Sequence, residues 1–219
     1  MKKFELTSEF VTFLGKKLFR IKALISFRNV EEGELGGYVE KEENLSNDGN
    51  AWVSGDAMVS GNARVCGNAR VYGNAEVYGN AEVYGDAEVC GNAWVYGNAE
   101  VYGDAEVYGD ARVCGDARVC GDAEVCGNAR VYGNAEVYGN ARVYGDADYA
   151  TVHGFGSKYR TTTFFRTKAG DIGVRCGCFY GTLEEFRAKV KETHGETKTA
   201  KEYLMVADLM EFRFSKEEA

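Results

Sequence analysis

The chain has 219 residues, with 34 acids against 26 Lys and Arg and a net charge of −8. The charge is unevenly placed: between Asn50 and Asp148 there are six Arg, no Lys and fifteen acids. That balance argues against direct binding to nucleic-acid phosphates and suits a basic partner or cations.

Residues 1–47 read as an N-terminal β cap. Met1-Lys2-Lys3 is followed by Phe4-Glu5-Leu6 with no long apolar core, and no run of about 18 apolar residues occurs anywhere, so neither signal peptide nor membrane helix is expected. Leu18 to Ile25 mixes apolar and cationic residues at strand spacing, and Gly33 to Gly37 reads as a turn. Such a cap would cover the open first coil of the repeats beyond it.

Residues 48–150 form the informative part. From Asn50 to Asp148 a six-residue unit such as GNAEVY repeats without insertion, and Val fills one slot sixteen times from Val53 to Val143. In Ala75-Glu76-Val77, Ala and Val face one side of a short strand and Glu the other. Gly-Asn or Gly-Asp then supplies a turn, because Gly takes positive φ freely. Turns at this spacing close a three-walled coil of about 18 residues and give a solenoid of about five coils, roughly 25 Å tall.

The triplets such as Ala81-Glu82-Val83, each followed by a turn such as Tyr84-Gly85-Asp86, resemble the hexapeptide-repeat family. That resemblance covers less than half of the chain and implies a mainly β fold, a left-handed parallel β-helix, and a trimeric homo-oligomer; a dimer mediated by the C-terminal helices is the second expectation. The tract Leu35 to Ser46 leading into the repeats is also similar to a group of uncharacterised phage and bacterial proteins. This second likeness implies a phage origin and with it a host-cytoplasm setting, and it brings no activity; a host protein or a small ligand is the expected partner.

Many hexapeptide-repeat proteins are acyltransferases acting on acyl-coenzyme A with a His base. Here the repeat holds no His and no inserted loop, leaving His153, just past the last unit, as the one catalytic candidate; His194 reads as a helix end. No phosphate-cradling GxxxxGK[ST] loop is present, and no cofactor is expected.

The outward columns carry the binding candidates. At 18 residues per coil, Glu88, Glu106 and Glu124 stack on one wall, as do Asp86, Asp104 and Asp122, with Arg70 and Arg142 below and above. Three readings stay open for these carboxylates: a solvated face whose Asp side chains bond their own turn amides, a divalent-cation site at Glu88, Glu106 and Glu124, or a dock for a basic partner. An acidic mimic of nucleic acid is a variant of the last. Trp52 and Trp94 stand where Glu or Arg is usual and point to a covered patch. Tyr follows Val in nine units, as stacked corners or a contact rail.

Seven Cys, five in repeat slots, are expected to be reduced thiols of a cytoplasmic protein, since Cys90 and Cys126 stand two coils apart, beyond disulfide reach.

Residues 151–219 read as a β-hairpin plus two helices. Tyr159 to Phe165 and Ile172 to Tyr180 are the expected strands, with Cys176 and Cys178 on one strand face. Thr182-Leu183-Glu184-Glu185 opens one helix by a capping box and Thr199-Ala200-Lys201-Glu202 a second. The second helix carries an apolar stripe of Ala200, Tyr203, Ala207, Met210 and Phe214, suited to the solenoid end or to a subunit contact.

Overall fold

A computed structural model describes residues 2–156 and 158–215 of the chain. The repeats wind into a parallel β-solenoid of three sheets, and every paired residue in the repeats stands 18 positions from its partner, as Glu88 does from Glu106 and Trp94 from Arg112. One wall runs through Trp52, Arg70, Glu88, Glu106, Glu124 and Arg142; a second through Arg64, Glu82, Glu100, Arg118 and Glu136; the third through Met58, Glu76, Trp94, Arg112 and Arg130. The alternation Ala-x-Val places every Ala and Val from Ala51 to Val143 inside at 0% exposure, so the core is a continuous Ala/Val column.

Gly85 shows why the turn slot is Gly. Its φ is +74°, and a Cβ there would stand 2.9 Å from the Gly103 nitrogen of the next coil. Coils can therefore stack at strand spacing only if this slot stays bare.

The solenoid reaches about six turns rather than five, because winding begins before Asn50. Tyr38 pairs with Met58 and Leu45 bridges Val65, both in parallel, each 20 positions apart. A short 3-10 turn, Glu42–Asn44, lies between these two contacts. Below them the antiparallel strands Phe4–Phe13 and Lys16–Ala23 extend the third wall into an eight-stranded sheet.

The ends of a parallel stack leave backbone groups without a neighbouring strand, and side chains meet them here. At the start, Lys3 Nζ donates to Ala51 O at 2.8 Å and Asn44 Nδ2 to Ala63 O at 2.8 Å. At the far end the exposed groups include amides, and acceptors supply them. Arg130 N donates to Asp146 Oδ1 (2.9 Å), Glu136 N to Thr163 Oγ1 (3.0 Å) and Tyr144 N to Asp148 Oδ2 (2.9 Å).

The C-terminal segment differs from the expected hairpin. Four antiparallel strands follow the last coil in sequence order: Tyr149–Phe155, Arg160–Arg166, Ile172–Cys176 and Phe179–Thr182. One face of this sheet contributes Phe165 to the solenoid core; the other buries Phe164 and Val174 under helices α1 (Leu183–His194) and α2 (Lys198–Phe214). The stripe Ala200, Tyr203, Ala207, Met210 and Phe214 is thus buried in this second core with α1 and the sheet, not on the solenoid end. The α1 capping box is formed as expected. The α2 cap is Thr197, whose side chain accepts from Ala200 N, not Thr199: the helix starts two residues earlier, so Thr199 lies within its first turn. Cys176 ends its strand and Gly177 turns the chain at φ +59°, so Cys178 lies in the turn and not on a strand face with Cys176.

Candidate functional site

The six carboxylates come from two neighbouring slots of one wall. Glu88, Glu106 and Glu124 project from the outward strand position, and Asp86, Asp104 and Asp122 from the turn that precedes it. Like charges at strand spacing repel by roughly 1 kcal/mol per pair in water, so the column needs compensation.

Compensation sits at the ends. Arg70 pairs with Glu88, which also accepts from Tyr72 Oη at 2.9 Å. At the other end Arg142 Nε bonds Glu124 Oε2 at 2.8 Å, and Lys168 of the C-terminal sheet reaches Glu124 Oε1 at 2.7 Å. Burial works to raise the Glu124 carboxyl, but the Lys168 and Arg142 bonds overcome it and hold the group below the ordinary Glu value. Arg28 of the N-terminal cap approaches Asp86 at 3.5 Å. Among the described residues no ion pair reaches Glu106, Asp104 or Asp122, and all three are exposed. The wall therefore has neutralised ends and an uncompensated acidic middle.

The Asp side chains are not simply turn caps. Asn and Asp of the turn slots form vertical ladders: Asn50 Nδ2 donates to Asn68 Oδ1 (3.0 Å) and Asn68 Nδ2 to Asp86 Oδ1 (3.0 Å). A second runs Asn62, Asn80, Asn98 and Asp116, and a third Asn74, Asn92 and Asp110. Each ends at Asp because a carboxylate accepts but cannot donate onward. Sorting the turn residues by their position modulo 18 would have revealed these ladders in the sequence.

Trp52 and Trp94 do not share one patch. Trp52 is 5% exposed and covered by the chain's own cap, with Phe27 edge-on at 5.5 Å. Trp94, on another wall, lies under the Arg112 guanidinium at 4.4 Å. Four of the repeat tyrosines stack face to face, Tyr78 on Tyr96 at 5.0 Å and Tyr84 on Tyr102 at 4.8 Å. On the acidic wall tyrosines alternate with smaller residues, in the order Ser54, Tyr72, Cys90, Tyr108, Cys126 and Tyr144. Burial and the neighbouring Glu100 push Tyr84 up to about 12, and the Cys114 thiol with burial pushes Tyr96 up to about 12. All seven thiols are free.

The weaker candidates separate from the wall. His153 is exposed on the C-terminal sheet, its Nδ1 3.0 Å from Thr161 Oγ1. Glu88, Glu106 and Glu124 stack but do not converge; among the described residues no group of three His, Cys, Asp or Glu side chains is placed to hold a metal ion. No helix among the described residues is long and apolar enough to cross a membrane.

Comparison with known proteins adds to the fold. Residues 51–67 and 63–77 match a family described as the YdcK beta solenoid repeat. No curated protein matches the chain. Over that short stretch the chain is similar to a β-solenoid repeat, in agreement with the coil that it forms.

Proposed function

We propose that this chain is a non-enzymatic, oligomeric binding scaffold that presents its acidic wall to a basic protein partner. The carrying observation is the uncompensated middle of that wall, Asp104, Glu106 and Asp122, held on a core in which every Ala and Val from Ala51 to Val143 is buried. A preformed surface loses little conformational entropy on docking, so modest contacts suffice. The likeness to phage hexapeptide-repeat proteins favours a host component as that partner.

The test compares the wild type with a variant carrying Asp104→Asn, Glu106→Gln and Asp122→Asn. Partners are captured from host lysate, identified, and titrated against both proteins at about 50 and 300 mM salt. The reading expects a basic partner whose affinity falls about tenfold or more in the variant and falls with salt. Equal binding by both proteins would sink it. Heat released on titration with coenzyme A, lost in His153→Ala, would instead favour an acyltransferase.

A further inference from the structure

The turn that carries the cap across the first coils covers a cleft of about 550 Å³, a volume typical of small-molecule pockets. Arg28, Asn29 and Val30 form one side; the other rises over three successive coils through Trp52, Arg70 and Glu88. Three features there are not explained by folding alone.

Arg28 sits at φ +45°. Its turn is closed by Phe27 N to Val30 O at 3.0 Å and Val30 N to Phe27 O at 2.9 Å, and a first central residue at positive φ is a position for Gly. An Arg there carries backbone strain of a kind that gathers at ligand clamps. Its guanidinium is nonetheless held over the solenoid, donating to Asn68 O at 3.0 Å beside Asp86. The third feature is Trp52, whose buried Nε1–H has no hydrogen-bond partner.

The charges select the ligand class. Arg28 and Arg70 face Glu34, Asp86 and Glu88, leaving one net negative charge, which opposes a phosphate or carboxylate. Guanidinium and carboxylate groups alternate up the cleft, and the Tyr72 hydroxyl joins them at Glu88. Hydroxyl pairs both donate and accept, so a sugar diol can bridge a carboxylate and a guanidinium together. The half-buried ring of Tyr72 offers apolar surface for the C–H face of such a ring, with the buried Trp52 beneath the cleft. We infer that this cleft binds a neutral mono- or disaccharide unit. This site goes beyond the acidic-wall function and uses none of Asp104, Glu106 or Asp122.

The test uses the full chain with Trp94→Phe, which leaves Trp52 as the sole Trp emitter of the two in the sequence. Its fluorescence is followed against glucose, galactose, mannose, N-acetylglucosamine and disaccharides of each, with glucuronate and inorganic phosphate as anionic probes. At least one neutral sugar is expected to change the emission saturably. Arg28→Gly, which suits the turn backbone and removes the guanidinium, is expected to weaken that binding about tenfold or more without lowering the unfolding midpoint. If that variant proves poorly folded, Glu88→Gln is expected to give the same loss. The proposal is overturned if no neutral sugar saturates the signal, if an anion binds more tightly than every sugar, or if the folded variant binds sugar as the wild type does.

Discussion

The Lys3 ammonium donates to the Ala51 carbonyl at 2.8 Å, across 48 positions of sequence, and is 2% exposed. It supplies the donor that a preceding coil would have given. Burial pushes its pKa down to about 8, against a smaller opposing pull from Asp48. Between about pH 8 and 10.5 the unfolded chain therefore holds this proton and the folded chain has released it, so stability rises with pH across that window. Urea unfolding at pH 7.5 and 9.5 is expected to show the wild type gaining stability relative to Lys3→Met, by at most about 3 kcal/mol. A constant difference between the two proteins would refute the assignment.

The tyrosines act in the opposite direction at higher pH. Tyr84 and Tyr96 are pushed up to about 12 by burial and by Glu100 or Cys114 respectively, so above pH 10 the unfolded chain loses these protons first. Stability should then fall with rising pH between about 10 and 12. Far-ultraviolet circular dichroism during alkaline titration checks this. Replacing Tyr84 and Tyr96 by Phe should flatten the fall.

Two carboxylates of one column should respond differently to neutralisation. Glu124 is held by Arg142 and Lys168, so Glu124→Gln leaves two cations short of a partner and is expected to cost about 1–2 kcal/mol. Glu106, flanked by Glu88 and Glu124, loses like-charge neighbours in Glu106→Gln and should change stability by less than about 0.5 kcal/mol or gain slightly. Chemical denaturation of both variants in low salt decides; equal losses would count against the pattern of neutral ends and acidic middle.

Gly85→Ala tests the stacking geometry. The positive φ and the 2.9 Å approach to Gly103 nitrogen are expected to cost about 1–2 kcal/mol or more, where Ala for Gly at an ordinary turn would stabilise. A raised melting temperature would mean that the coils stand further apart than strand spacing.

The repeat is legible because each hexad decides its own structure: Ala and Val alternate inward, Gly turns, and the period alone sets a register of 18. The columns around Glu106 follow from that number. What stays hidden depends on distant partners. Nothing near Lys3 or Asn44 announces that they will satisfy Ala51 and Ala63, and nothing in the cap sequence places Phe27 on Trp52. The strand Tyr149–Phe155 escapes notice because Gly145-Asp146 before it reads as one more repeat turn, although Tyr149 then opens an antiparallel sheet. Thr197 and Thr199 are equivalent by residue type, and it is Thr197 that accepts from Ala200 N at the cap.

The two termini of the spiral are made of matching halves. Lys3 and Asn44 plug carbonyls at one end, and Asp146, Asp148 and Thr163 plug amides at the other, the two halves of one coil-to-coil contact. A particle stripped of both plugs would be a self-complementary brick, adding nose to tail into an open-ended fibre. The flanking segments thus act as stoppers that fix the length of the rod.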